Sequence, residues 1–338
     1  MRLVQLHHPV ERRRRLALVA EPHLRLLNTY SSIFDAANHA IQDSRPLQEL
    51  LTDDVSETTL DYDAVYSDQS EWKLLPAADH PTEAARCVVS GTGLTHKKSA
   101  ANRDAMHQSG GAAVAAAPIT DSMKIYQWGA EGGRPAEGAI GVQPEWFYKG
   151  NGTILRAHGE PLEVPDFADD GGEEPEVAAI YLIGPDGQPY RIGFVTGNEF
   201  SDHQMERKNY LYLAPSKLRT CSIGPEIVLD ETFANISGMV RVERNGATLW
   251  SHEIGTGEAN MVHSLSNLEH HHFKYPLHCR PGDLHVHFFG ADAFSFGDGI
   301  TLADGDLMEV AWNGMGRPLR NPIHIVSTPP ALRTVKTL

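Results

Sequence analysis

Cysteine is scarce in this sequence: Cys87, Cys221 and Cys279 stand far apart, are odd in number and form no CxxC pair. That excludes a disulfide framework and a cysteine-based structural zinc site, and it suits a reducing compartment. Positive charge is also short, with 29 Lys and Arg against 44 Asp and Glu, a formal net charge of −15. So acidic a chain repels phosphate backbones, and no nucleic-acid partner is expected. A small anionic substrate stays possible, because a bound metal inverts the local field. No apolar run approaches the ~18 residues of a membrane span, so no membrane partner is expected either. The one dense basic patch, Arg12 to Arg15, precedes only Leu16 to Ala20 before His23 and Arg25 interrupt. That is not the apolar core of a signal peptide, and a cytoplasmic location is expected.

Glycine and proline are plentiful, with 30 and 21 residues, which suits short strands joined by tight turns. Residues 1–80 read as a small N-terminal α/β domain. Met1 to Gln5 and Leu16 to Val19 are its candidate strands. Ile33, Ala36, Ala37, Ala40 and Ile41 recur at helical spacing behind a cap at Thr29 or Ser31. Val88 to Gly93 reads as a strand entering a glycine turn, but the further glycines of a phosphate-binding fingerprint are missing. A polar helix is expected from His96 to His107, and residues 109–118 read as a mobile loop or lid. From Phe147 onward the pattern is β-like. Gly184-Pro185-Asp186-Gly187 turns one hairpin and Asn245-Gly246 another. The expectation is a strand-rich α+β chain with a catalytic domain over 81–338.

The informative chemistry lies between Glu173 and Glu226. Glu174-Pro175-Glu176 precedes the apolar strand Val177 to Ile183, and residues two apart on a strand share a face. Two adjacent carboxylates repel unless one is protonated or a cation neutralises them. Mg²⁺, Mn²⁺ or Ca²⁺ would do so, since hard cations prefer oxygen ligands. The alternative is a solvated acidic loop, because Asp169, Asp170 and Glu173 lie adjacent. The return strand ends in Gly197-Asn198-Glu199, which a hairpin brings back toward Glu176. Lys217 follows in Pro215-Ser216-Lys217. A lysine there can stabilise enolate charge or carry a proton. Of the histidines, His270, His271 and His272 are consecutive and cannot all face one ion, though one could lie on a flap over the substrate. His285 and His287 alternate on a strand and share a face.

The order Phe147-Tyr148-Lys149-Gly150, Glu174-Pro175-Glu176, Gly197-Asn198-Glu199, Ser216-Lys217, Ile223-Gly224-Pro225, then Asp304-Gly305-Asp306 and Gly314-Met315-Gly316 resembles the fumarylacetoacetate hydrolase family over residues 86–326. It is most similar to the branch that dehydrates 2-keto-3-deoxy sugar acids. The resemblance implies a mixed β-roll, a Mg²⁺ ion, a small 2-keto acid as ligand and a homodimer. It implies a hydro-lyase acting on a substrate such as 2-keto-3-deoxy-L-arabonate, in arabinose-type sugar-acid catabolism. Glu174, Glu176 and Glu199 match its metal ligands. Glu199 stands where the family has Asp, with Asp202 as the substitute if the longer side chain does not fit. Lys217 matches its lysine beside the enolate, and Lys149 is assigned to the substrate carboxylate or to backbone positioning. His96 falls near the catalytic histidine of hydrolytic members, without an evident partner glutamate, and is assigned the proton at C4. Gly290 and Ala291 fall at the substrate-contacting turn, Ala291 in place of the usual Thr. Two alternatives are a hydrolase that cleaves the carbon–carbon bond of an acylpyruvate, and a non-catalytic sugar-acid-binding protein. A His/Glu dyad would mark the first, and loss of a metal ligand the second.

Overall fold

The computed structural model describes residues 1–97, 100, 119–229 and 232–338. The expected helix from His96 to His107 and the lid at 109–118 fall, apart from His96, Lys97 and Ala100, outside the described residues. Among those described, two mixed sheets form the frame. Strands β1 (Arg2–His8), β2 (Arg13–Ala20), β3 (His23–Leu27), β4 (Val55–Asp61), β5 (Lys73–Leu74), β6 (Cys87–Gly91), β7 (Phe147–Asn151) and β8 (Leu155–Arg156) belong to the larger sheet. So do β10 (Pro175–Ile183), β11 (Pro189–Asn198), β12 (Cys221–Val228) and β15 (Leu284–Phe288), giving the order β4-β3-β2-β1-β12-β11-β10-β15-β6-β7. The smaller sheet runs β14-β13-β16-β17-β9, from β9 (Leu162–Val164), β13 (Ile236–Arg244), β14 (Ala247–Thr256), β16 (Leu307–Trp312) and β17 (Leu319–Ile325).

Strand β10 explains the layering. All nine of its residues are buried, as expected of a strand covered on both faces. Ala178, Ile180 and Leu182 join a core with the helix Ile33–Gln42. Val177, Ala179 and Tyr181 join a second core with Val240, Val310 and Trp312 of the smaller sheet. One strand thus glues a helical layer to one side of the sheet and a second sheet to the other.

The expected helix forms one residue later than its cap was placed: Ser32, not Thr29 or Ser31, accepts from Asp35 N at 3.0 Å. Ser31 instead donates to the Asp35 carboxylate. The Asn245-Gly246 hairpin forms as read, with φ of 53° and 77° at its tip, the mirror-image turn that both residues tolerate. Residues 1–80 carry a small core of their own, with Val4, Leu6, Leu24, Tyr62 and Trp72, and they also join the larger sheet. Strand β1 pairs with β12, Leu3 opposite Ile227, and Ile33 and Ala36 share a core with Ile180 and Ile223. Of the basic run, Arg13 to Arg15 lie on β2, and Arg14 grips Asp79 with two hydrogen bonds of 2.9 and 2.6 Å.

Candidate metal centre

The β10–β11 hairpin brings the acidic residues together by register alone. Pro175 lies opposite Asn198 and Glu176 opposite Gly197. Beyond the last rung, Glu199 N donates to Glu174 O at 2.9 Å. Gly197 is required here, because a Cβ would come within 2.5 Å of the Phe288 ring. One oxygen from each of Glu174, Glu176 and Glu199 lies within 4.8 Å of the other two, and all three residues are buried.

Two lysines neutralise part of this charge, and both are fully buried. Lys217, at the end of the helix Leu213–Lys217, donates to Glu174 Oε1 at 2.8 Å, Glu199 Oε2 at 2.7 Å and Ser201 Oγ at 2.9 Å. Its ammonium also lies 3.2 Å from Glu206 and 4.8 Å from the centre of the Phe147 ring. Lys149 contacts the other Glu199 oxygen at 2.6 Å and donates to the carbonyls of Phe200 and Lys217 at 2.7 and 3.1 Å. Three acceptors around Lys149 place it as a brace under Glu199 and Lys217. The extra methylene of Glu199 lets one carboxylate reach both ammoniums.

The electrostatics are uneven across the triad. Burial raises the Glu174 pKa, but Lys217 and His203 outweigh it and hold the carboxyl well below its ordinary value. Burial pushes Glu199 up to about 7 against the pull of both lysines. Glu176 is raised well above its ordinary range by burial, then by the charges of Glu199 and Glu174. Gly290 N, 2.7 Å from Oε2, and the charge of Lys217 offset this only in part. Three converging buried oxygens, one of them repelled by both neighbours, are the donor set a hard divalent cation fits. Glu174, Glu176 and Glu199 would hold it.

Asp202 is engaged elsewhere. Its carboxylate caps the helix His203–Lys208 by accepting from Met205 N at 2.8 Å, and it pairs with Arg219 at 2.9 Å. Gly290, with φ 95°, packs against Thr95 so closely that a Cβ would sit 2.1 Å from Thr95 Oγ1. Thr95 Oγ1 donates to Phe289 O at 2.7 Å and therefore accepts from His96 Nδ1 at 2.9 Å. This fixes the proton of a neutral His96 on Nδ1 and leaves Nε2 as its basic nitrogen. Burial pulls the His96 pKa down to about 4, so the ring is neutral near pH 7. Ala291 follows, buried.

Sequence reasoning missed Thr95, Ser201 and His203. Ser201 stands two residues after Glu199, a spacing that strand alternation would have flagged. His203 had no such signal, since it is the first residue of a short helix. The consecutive histidines also take another place. His272 lies not on a flap but in the interior, in a buried layer with His278, His285 and His287.

The architecture is a fumarylacetoacetate hydrolase-type mixed β fold carrying a carboxylate triad on its central hairpin. Among solved structures, the fold is shared with 2-keto-3-deoxy-D-arabinonate dehydratase, at a TM-score of 0.69 and 17% identity over 97% of this chain and 100% of that one. The same similarity holds for its form complexed with magnesium and 2,5-dioxopentanoate. Fumarylacetoacetate hydrolase from Exiguobacterium antarcticum aligns at a TM-score of 0.59 and 15% identity over 96% of this chain and 100% of that one. In sequence the chain is 26% identical over 179 residues to a probable 2-keto-3-deoxyxylonate dehydratase of Haloferax volcanii. That match covers 52% of this chain and 58% of the relative, so it spans little more than half of the relative's length. No protein-family model matches the chain. No helix among the described residues is long and apolar enough to cross a membrane.

Proposed function

We propose that this chain is a Mg²⁺-dependent hydro-lyase that removes water from a 2-keto-3-deoxy sugar acid. The observation that carries the reading is the buried triad of Glu174, Glu176 and Glu199, with oxygens within 4.8 Å, on a fold whose neighbours include a sugar-acid dehydratase. When bound, the cation polarises the keto group of a chelating 2-keto acid and acidifies its C3 protons. Lys217, whose ammonium sits between Glu174 and Glu199, would supply positive charge to stabilise the enolate that develops. Lys149 holds Glu199 and the Lys217 carbonyl in place. His96, neutral and basic at Nε2, moves the proton that accompanies loss of the C4 hydroxyl. Gly290 fixes Glu176 through its backbone N–H, and Ala291 adjoins it.

A 2-keto-3-deoxypentonate keeps one stereocentre, C4. The sugar of origin therefore reduces to a D or L choice, and the L-arabonate derivative is one of two enantiomers to offer. We further propose a cytoplasmic homodimer. Exposed Tyr148, Leu211, Tyr212 and Leu218 flank the helix that carries Lys217, and they offer apolar surface for a second copy.

The test gives purified protein Mg²⁺ with both C4 enantiomers and, in parallel, an acylpyruvate. Semialdehyde formation supports dehydration. Pyruvate release from the acylpyruvate, or no turnover of any keto acid in a magnesium-loaded protein, overturns it. Sedimentation at the mass of one chain would sink the homodimer.

A further inference from the structure

We infer that His203 is the positioning residue that aims Glu174 at the metal, held by an aromatic clamp that the neighbouring Glu173 builds. The inference rests on the metal reading above and adds a group that reading does not use. His203 Nε2 lies 3.0 Å from Glu174 Oε1. A carboxylate oxygen can only accept, so Nε2 carries a proton and donates to it.

The ring is locked from every side. It stacks on Phe294, with centroids 4.7 Å apart and planes 11° apart, and leans on Phe296 at 5.1 Å. Ser295, between these two phenylalanines, donates from N at 2.6 Å and from Oγ at 2.8 Å to the two oxygens of Glu173. Glu173 thus fastens the clamp, the clamp fastens His203, and His203 fastens the next residue in sequence, Glu174. On the opposite side Gly172 leaves the room the ring needs, since a Cβ there would meet His203 Nδ1 at 2.5 Å. Asp202 caps the helix that starts at His203 and is itself anchored by Arg219. This gives Asp202 a purpose other than ligation.

Glu174 Oε1 also accepts from Lys217. Two donors on one oxygen hold that carboxylate in place, with an oxygen within 4.8 Å of those of Glu176 and Glu199. Partners of this kind typically contribute about 10- to 100-fold to metal affinity.

The test titrates the full-length chain with Mn²⁺ alone, following free Mn²⁺ by electron paramagnetic resonance, with thermal midpoints of the metal-free proteins in parallel. His203→Phe keeps the stack but removes the N–H. It should weaken Mn²⁺ binding by about 10-fold or more with little change in midpoint. His203→Gln restores a donor and should recover most of the loss, which a purely space-filling role would not show. Gly172→Ala pushes the ring aside without removing it and should weaken Mn²⁺ as His203→Phe does; it decides the matter if His203→Phe does not fold. Wild-type Mn²⁺ affinity in a folded His203→Phe or Gly172→Ala protein overturns this assignment and leaves the metal reading standing. Failure of the unsubstituted chain to bind Mn²⁺ overturns both.

Discussion

The central strands bury polar groups on both faces, and they do so in opposite ways. By strand alternation, Glu176 shares the face of Ala178 and Ile180, where charge is answered by charge. The carboxylates of Glu174, Glu176, Glu199 and Glu206 outnumber the two ammoniums there, and the arrangement is left short of positive charge. On the other face, beside Ala179 and Tyr181, β15 presents His287 and His285, and burial keeps the rings neutral. Trp146 Nε1 donates to His272 Nδ1 at 3.2 Å, so His272 must donate from Nε2 to His285 Nδ1 at 3.0 Å. His285 Nε2 then ends the relay with no partner among the described residues, as does Nε2 of His287, whose Nδ1 meets Ser90 at 2.8 Å. The acidic face is poised to take a cation in, whereas the histidine face is buried and neutral. A buried polar layer is therefore not in itself a site; converging donors with unbalanced charge distinguish one.

Removing charge from the acidic face should break this contrast most sharply. Glu176→Gln should lower kcat/KM by about 10³ or more, the several kcal/mol a metal ion supplies. The metal-free protein should be no less stable, because repulsion from Glu174 and Glu199 is relieved. Retained turnover in steady-state assays would remove Glu176 from the ligand set. Lys217→Met removes the cation shared by the buried carboxylates of Glu174, Glu199 and Glu206 and should cost about 3–5 kcal/mol in denaturant titrations. Added Mg²⁺ should restore part of it, and no magnesium dependence would argue that no ion enters.

The histidine face should answer to acid instead. His285 and His287 are pushed down to about 3 by burial and by neighbouring histidines, and burial holds His272 well below its ordinary value. The unfolded chain takes up protons near the ordinary value of about 6.5 while the folded layer does not. The stability this layer contributes is thus whole above about pH 6.5 and falls as pH drops toward about 3, by up to ~1.4 kcal/mol per pH unit for each histidine. Thermal midpoints of a His285→Phe, His287→Phe double variant should flatten this limb, and an unchanged slope would sink the account. The smallest effect is expected from Thr95→Val, about 1 kcal/mol for each of the two hydrogen bonds its hydroxyl makes. A few-fold loss of turnover should accompany it, as His96 loses its fixed tautomer; unchanged kinetics would separate His96 from the chemistry.

Much of this was readable from local pattern. The hairpin signal of Gly184 to Gly187 and the alternation around Glu174 and Glu176 are short-range, so the triad could be assembled on paper. Lys149 was harder: beside Gly150 it looks like a turn residue, and only the fold shows it wholly enclosed beneath Glu199. Asp202 looked like a spare ligand because chain distance from Glu199 is small, yet a helix start turns its carboxylate to Met205 N and Arg219. His203 and Thr95 act through contacts with residues 294 and 289, which no spacing rule connects. The core of Val4, Leu24 and Tyr62 within residues 1–80 follows from local pattern, whereas the pairing of β1 with β12 depends on residues far apart in sequence.

That last pairing has a consequence for how the molecule comes into being. Arg2 meets Glu226 across a sequence separation of 224 residues, so β1 emerges from the ribosome long before its neighbour β12 exists. Topologies built on such distant partners fold slowly, and until β12 arrives the nascent chain carries a strand edge able to pair with the wrong partner. Production of this protein should therefore depend on chaperone supply and translation pace more than its final stability would suggest.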